Sequence, residues 1–398
     1  MKKYVSLYVH IPFCVVKCKY CDFLSFDGES YGTMLRYVDC LCQEIKMYAP
    51  IVADYGVRSI FIGGGTSLLD ESLITNIMAF IRRYFHVEKN AEVTIEANPG
   101  TLRHQKLNGY KAAGINRISI GLQSCDDDML KKLGRIHNFD QFVASYNAAR
   151  RAGFQNINID IMSGLPGQTI HTYVDTLSRV IEFGPEHISA YSLSIEEGTP
   201  FAKDPQILSE LPPEMVDRRM YEITKQLLAA HGYDRYEFSN YAKPGYECKH
   251  NMVYWTGGEY IGFGIGASSY FQGKRFNNMR DIFKYIELME NLSDKFVETD
   301  NMELLYNDTT RTLRENVTNI YIDARMEEFM FLGLRMTCGV SREDFKERFN
   351  KDIYEVYGSV LNKYIGEGFM ASEGDRIYLT DAGIDVSNVI LADFLLDS

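Results

Sequence analysis

Residues 8–23 read YVHIPFCVVKCKYCDF, and the interpretation of the whole chain turns on this stretch. An apolar, strand-like run gives way to Cys14, Cys18 and Cys21 in a C-x3-C-x2-C spacing, with Lys17 and Lys19 marking the loop as polar. A short loop at a strand end brings three thiolates together. Irons in a cubane iron–sulfur cluster are bound by thiolate, so three cysteines hold three corners and leave the fourth iron without a ligand from this loop. An open iron accepts a small chelating molecule, and one carrying an amino and a carboxylate group suits it. The same residues also allow a structural zinc, with His10 or a distant cysteine as fourth ligand, although paired C-x2-C knuckles are absent.

The loop resembles the signature of the radical S-adenosylmethionine (SAM) superfamily, with Tyr20 in its aromatic position before the last cysteine. The resemblance implies a [4Fe-4S] cluster on Cys14, Cys18 and Cys21 whose open iron chelates SAM. When reduced, that cluster cleaves SAM to a 5′-deoxyadenosyl radical, and the protein orients and shields the cofactor.

Outward from the loop, 398 residues suffice for one large domain and a smaller one, and 45% hydrophobic with 13% aromatic residues predicts a sizeable core. No run approaches the roughly twenty apolar residues of a membrane span, and the N-terminus lacks a signal-peptide layout. The expectation is a cytoplasmic protein that is not integral to a membrane, with transient contact to membrane proteins left open. Eight cysteines, three of them on one loop, do not read as a disulfide framework. A formal net charge of −12 argues against nucleic-acid binding, which rests on clustered Lys and Arg.

Short β-branched runs at 5–10, 58–62, 92–97, 116–121, 156–161 and 187–193 alternate with helical patterns at 34–47, 73–84, 139–152 and 173–183. Repeated β–α units with right-handed crossovers predict an α/β fold: a partial (β/α)6 TIM-like barrel. In such barrels the working residues sit at the C-terminal strand ends. There the sequence places Gly63-Gly64-Gly65-Thr66, Glu96 in EANPG, Gln123 followed by Arg135, and Asp160. Glycines let a backbone approach a ligand closely, though a triple glycine also makes a plain strand-to-helix turn. Each polar residue taken alone is a cap or a solvated charge; together they ring one mouth, able to hold a ribose, an amino group and a carboxylate.

The ordered segments YVHIPFC, GGGT, IEANPGTL, NRISIGLQS, LGRIH, NIDIMSGLPGQT and YSLSIEEGTPF resemble the oxygen-independent coproporphyrinogen III oxidase group. That resemblance implies that Gly64, Gly65 and Thr66 contact the methionine part of SAM. Glu96, Gln123, Arg135 and Asp160 would meet its ribose or methionine groups, Tyr20 its adenine, and Tyr8 would face cofactor and substrate.

The predicted layout is a barrel at 1–240, an extension at 241–291, a polar insertion or linker at 292–324, and a C-terminal winged-helix-like domain at 325–398 that covers the barrel mouth. The segment 293–321 reads as exposed, with little apolar periodicity. In the extension, His250-Asn251-x-x-Tyr254 precedes a glycine-spaced run. By residue type alone His250 reads as a buried histidine paired with a carbonyl beneath the sheet.

Two features separate this chain from the oxidases. Phe23 stands where they carry a further cysteine, and only thirteen residues precede Cys14 where they carry a longer arm. Both resemble the haem chaperones of the HemW type, and that likeness assigns His250, in HNxxY, to haem. It implies haem as cargo, haem-accepting proteins as partners, and a monomer or dimer, with a porphyrinogen oxidase or another radical reaction on a tetrapyrrole as the alternative. The chain departs from the chaperone pattern at Ser67, where a proline is usual, and at Ser268, where a histidine commonly follows the glycine run.

Overall fold

A computed structural model describes residues 2–298 and 302–396. Six strands form its centre: β1 (Lys3–Ile11), β2 (Tyr55–Gly64), β3 (His86–Ala97), β4 (Arg117–Gln123), β5 (Ile157–Ser163) and β6 (His187–Ser192). All pair in parallel and in sequence order. Parallel strands need crossovers, supplied by α1 (Tyr31–Tyr48), α2 (Glu71–Tyr84), α3 (His104–Ala112), α4 (Phe139–Arg151) and α5 (Ile170–Glu182). The period of two explains the layering. In β1, Val5, Leu7, Val9 and Ile11 are buried in the main apolar core with Tyr37, Leu41 and Ile45 of α1. The alternate face carries Ser6, Tyr8 and His10.

That other face lines an unusually polar barrel interior. Ser59 Oγ donates to Ser6 Oγ at 2.7 Å, Asn158 Nδ2 to Ser119 Oγ at 2.7 Å, and His187 Nδ1 meets Asn158 Oδ1 at 2.6 Å. Buried polar groups need partners, and these rows supply them strand to strand. Past β6, α6 (Glu214–Ala230) leads to β7 (Asp234–Arg235) and β8 (Asn240–Ala242), which extend the sheet antiparallel. At the opposite side β9 (Tyr260–Phe263) joins β1 in parallel, followed antiparallel by β10 (Ser268–Phe271), β11 (Lys274–Asn278) and β12 (Arg314–Asn319).

The extension holds α7 (Lys249–Trp255), which packs across the barrel interior at Ser59 of β2 and Glu92 of β3 and forms its floor. The Glu92 carboxylate accepts the Lys249 and His250 N–H groups at 3.2 and 3.1 Å, so a β3 side chain caps the helix. The His250 ring lies 5.2 Å from that of Phe61.

Two expectations differ from what is observed. The segment read as a polar insertion carries the end of α8 (Ile282–Glu298), α9 (Met302–Leu313) and edge strand β12, with residues 299–301 outside the described residues. Leu292, Tyr306 and Leu313 enter the main core, and the Arg314 guanidinium lies 3.9 Å from the Phe276 ring centroid. A few widely spaced apolar residues anchor a stretch whose average composition is polar.

The C-terminal part has its own core around Met330, Phe345, Tyr357 and Leu361, built from helices Ile322–Gly333, Arg342–Phe349 and Ile353–Gly366. The strand Val340–Ser341 pairs with the hairpin Met370–Glu373 and Arg376–Leu379. The chain then runs through two short helices, Asp381–Asp385 and Ser387–Ala392, broken at Val386. This part does not cover the mouth: it packs against the floor and α6. Arg335 lies over the Trp255 and Phe238 rings at 4.5 and 4.8 Å, Arg348 donates to the Thr256 carbonyl at 2.9 Å, and Asp381 pairs with Arg235 at 2.9 Å. Aromatic and charged groups on that side decide the docking, which overall acidity could not foretell.

Candidate functional site

Two backbone features place the cysteine loop. Cys14 ends a two-residue strand, Phe13–Cys14, paired in parallel with Phe26–Asp27, so the loop leaves and returns at one point. The glycine run of β2 packs beneath it. A Cβ on Gly65 would fall 2.4 Å from the Phe13 backbone, and Gly64 has φ +95°, which an L side chain rarely adopts. Lys19 N–H donates to the Leu133 carbonyl at 3.0 Å and Lys17 Nζ to the Phe23 carbonyl at 2.8 Å, pinning the loop on both flanks.

The loop overhangs a cleft of about 400 Å³ at the C-terminal strand ends. Cys14, Cys18, Cys21, Tyr20, Gly64, Glu96, Gln123, Arg135 and Asp160 all line it. Four other candidates lie elsewhere. Gly65 supports the loop, and the Thr66 hydroxyl donates to the Glu96 carbonyl. Tyr8 sits deeper, its hydroxyl 3.0 Å from His10 Nδ1 and its ring stacked on Phe61 at 6.2 Å. His250 is on the floor, 1% exposed, with Nδ1 2.9 Å from Ser59 Oγ and Nε2 2.9 Å from the Tyr254 hydroxyl. Its partners are hydroxyls rather than the carbonyl expected.

The cleft has a graded charge pattern. Glu96 Oε2 accepts the Gly64 N–H at 2.7 Å, yet burial pushes its carboxyl up to about 7. Burial raises Asp160 as well, opposed by hydrogen bonds from Asn158, Ser189 and Ser119. Arg135 donates to Cys18 Sγ at 3.5 Å, Asn98 Oδ1 at 2.8 Å and the Gly121 carbonyl at 2.6 Å, while its buried Nε has no partner. Burial pushes the Cys21 thiol up to about 11 and raises that of Cys14. Gln123 holds φ +75°, a strained conformation that turns its side chain at the end of β4.

This donor set fits an iron–sulfur cluster with a chelated SAM molecule. Three partly exposed free cysteines share the cleft with the Arg135 guanidinium, the Glu96 and Asp160 carboxylates and the Gln123 and Asn98 amides, and the orphaned Arg135 Nε is a donor left over. Among the described residues no three Cys, His, Asp or Glu side chains are gathered tightly enough for one metal ion. A cubane asks for one thiolate per iron, spread wider than ligands around a single zinc.

The sequence reading missed Asn98 as the partner of Arg135, and Ser119 and Tyr191 as lining residues. Their signal was strand alternation: Ser119 precedes Gly121 by two, and Tyr191 is the penultimate residue of β6. Another cavity, of about 850 Å³, lies between α6 and residues 381–385; its charges are ion-paired and it holds none of the site residues.

Comparison with known proteins matches residues 8–180 to the Radical SAM superfamily and residues 323–386 to the HemN C-terminal domain. Heme chaperone HemW of Bacillus subtilis is 36% identical over 98% of this chain and 99% of its own length. Heme chaperone HemW of Lactococcus lactis is 33% identical over 100% and 99%. The solved structure of Escherichia coli coproporphyrinogen III oxidase (HemN), a radical SAM enzyme, superposes with a TM-score of 0.82 at 23% identity, covering 99% of this chain and 90% of that one. The last likeness concerns the fold.

Proposed function

Because the chain belongs to the radical SAM superfamily and, within it, to the heme chaperone HemW family, we propose that it binds haem and delivers it to haem-requiring proteins. The observation that carries this reading is full-length kinship with haem chaperones. Phe23, at the place of the oxidases' further cysteine, is a large exposed apolar side chain on the cleft wall. All eight cysteines are free, which suits a reducing cytoplasm, and no helix of the described residues is long and apolar enough to cross a membrane.

Cys14, Cys18 and Cys21 would hold the [4Fe-4S] cluster. When bound, that cluster supplies an open iron to chelate SAM and, once reduced, an electron for its cleavage. Arg135 would steady the Cys18 thiolate through its N–H donor. Glu96 and Asp160 would accept hydrogen bonds from amino and ribose hydroxyl groups, with Gln123 beside them. Gly64, with Gly65 and Thr66 behind it, would let the β2 backbone approach the methionine end. Tyr20 would lie against adenine, and Tyr8 would support the cleft from below. In this role cluster and SAM bias conformation or oligomeric state rather than drive turnover.

His250 would ligate haem. Burial holds its imidazole at about 3, so the ring is neutral, the form that binds iron. Both ring nitrogens are engaged and the side chain is sealed, so haem reaches it only when α7 leaves the floor.

The test is anaerobic reconstitution of wild type, Cys14→Ala and His250→Ala, then haem titration and a porphyrinogen turnover assay on the same samples. Wild type should bind haem with a shifted Soret band, His250→Ala about tenfold more weakly, and none should form protoporphyrinogen IX; Cys14→Ala should lose the brown colour. Cysteine-dependent turnover would replace the carrier reading with an oxidase.

A further inference from the structure

Arg117 opens β4 and points into the barrel, 2% exposed, with no hydrogen-bond partner at Nε. A buried guanidinium so poorly bonded is costly, and with no carboxylate among the described residues in ion-pair contact its charge is offset by carboxylates farther along the barrel interior. The sheet register supplies them. Arg117 stands opposite Thr94, whose same-face neighbours two residues away are Glu92 towards the floor and Glu96 towards the mouth. On β5, Asn158 pairs across from Ser119 and Asp160 from Gly121, which sets Asp160 two same-face positions nearer the mouth than Arg117. Glu92 and Asp160 are both among the charges that act on the guanidinium.

The two carboxylates do different things. Glu92 accepts the backbone N–H groups of Lys249 and His250 and lies 3.6 Å from Cys248 Sγ, so it fastens the N-terminus of α7. Asp160 lines the cleft and accepts from Ser119 and Asn158. The charge between them is on the side chain of neither site.

We propose that Arg117 is a positioning residue that shares one buried positive charge between Asp160 in the cleft and Glu92 beneath α7, coupling occupancy of the cleft to closure of the barrel floor. The cleft half rests on the cofactor reading above. A ligand that donates hydrogen bonds to Asp160 satisfies that carboxylate, the pull of Arg117 falls more fully on Glu92, and the cap on α7 tightens. By linkage, opening the floor weakens the same ligand by the same factor. The SAM-loaded protein therefore keeps His250 shut in, and the unloaded protein releases it.

The experiment is amide hydrogen exchange of residues 248–256 in the full-length, cluster-reconstituted protein with and without SAM, together with the SAM dissociation constant. Wild type should exchange about tenfold more slowly there with SAM, within the ordinary range of coupling between sites. Arg117→Met should exchange faster without SAM, lose the response to it and bind it about tenfold more weakly, whereas Arg117→Lys should recover most of each. Arg117→Met combined with Glu92→Gln should restore slow exchange without restoring SAM affinity, because removing both buried charges costs less than removing one.

The proposal is overturned if SAM binds wild type and leaves 248–256 unchanged, or if Arg117→Lys behaves like Arg117→Met. Should Arg117→Met not fold, the wild-type comparison alone decides. If wild type takes up no SAM, the cofactor reading fails and takes the coupling with it, an outcome distinct from binding without response.

Discussion

Gly65 matters through the atom it lacks. With a Cβ placed 2.4 Å from the Phe13 backbone, Gly65→Ala must push the Phe13–Cys14 strand aside. The expected result is loss of iron and sulfide uptake on reconstitution with an unchanged far-UV spectrum; full uptake would show that the glycine only eases a turn. Glu96 offers a titration. Its carboxyl is pushed up to about 7, so the acceptor form gains population as pH rises through that value. SAM affinity should climb between about pH 6 and pH 8 and flatten in Glu96→Gln, read by equilibrium binding across that window. The cysteines, the glycine run, Glu96, Gln123, Arg135 and Asp160 were legible because strand-end position and local spacing carry their meaning. Arg117 was not. A single arginine in NRISIG reads as a surface charge until the register turns it inward against Glu92 and Asp160.

Helix α7 carries an i,i+4 pair facing the barrel interior. His250 and Tyr254 share one helical face, as their spacing requires, and the ring bond between them is 2.9 Å. Tyr254→Phe leaves His250 Nε2 without its partner in a sealed site, a loss of about 1 kcal/mol. Urea unfolding should detect that decrease, and haem uptake by the reconstituted protein should become faster; unchanged uptake would mean that α7 does not gate His250. The motif was visible in the sequence, but its surroundings were not, since Ser59, Phe61 and Glu92 lie far away in the chain. The same distance hid the seating of 302–319, where Tyr306 and Leu313 are buried by contacts no local pattern announces.

At the scale of the molecule, one buried carboxylate joins parts remote in sequence. Glu44 of α1 accepts the Gly264 N–H at 2.8 Å, Asn278 Nδ2 at 2.7 Å and the Tyr285 hydroxyl at 2.6 Å, tying the first crossover helix to the glycine loop, β11 and α8. Burial pushes it up to about 7 from an ordinary 4.5. The folded state therefore binds this proton more tightly than the unfolded chain. The stability it contributes is complete below about pH 4.5 and is lost as pH rises to about 7. Urea midpoints should show that decline in wild type and a flatter profile in Glu44→Gln. The barrel followed from six alternating β–α units, and the winged-helix-like tail from its helix and hairpin pattern. Where the tail docks did not, because Arg335 and Trp255 meet only in three dimensions. Its place against the floor and α6 leaves the mouth open to solvent. Small molecules that exchange at the mouth therefore do so without displacing the tail, which holds the opposite end of the barrel.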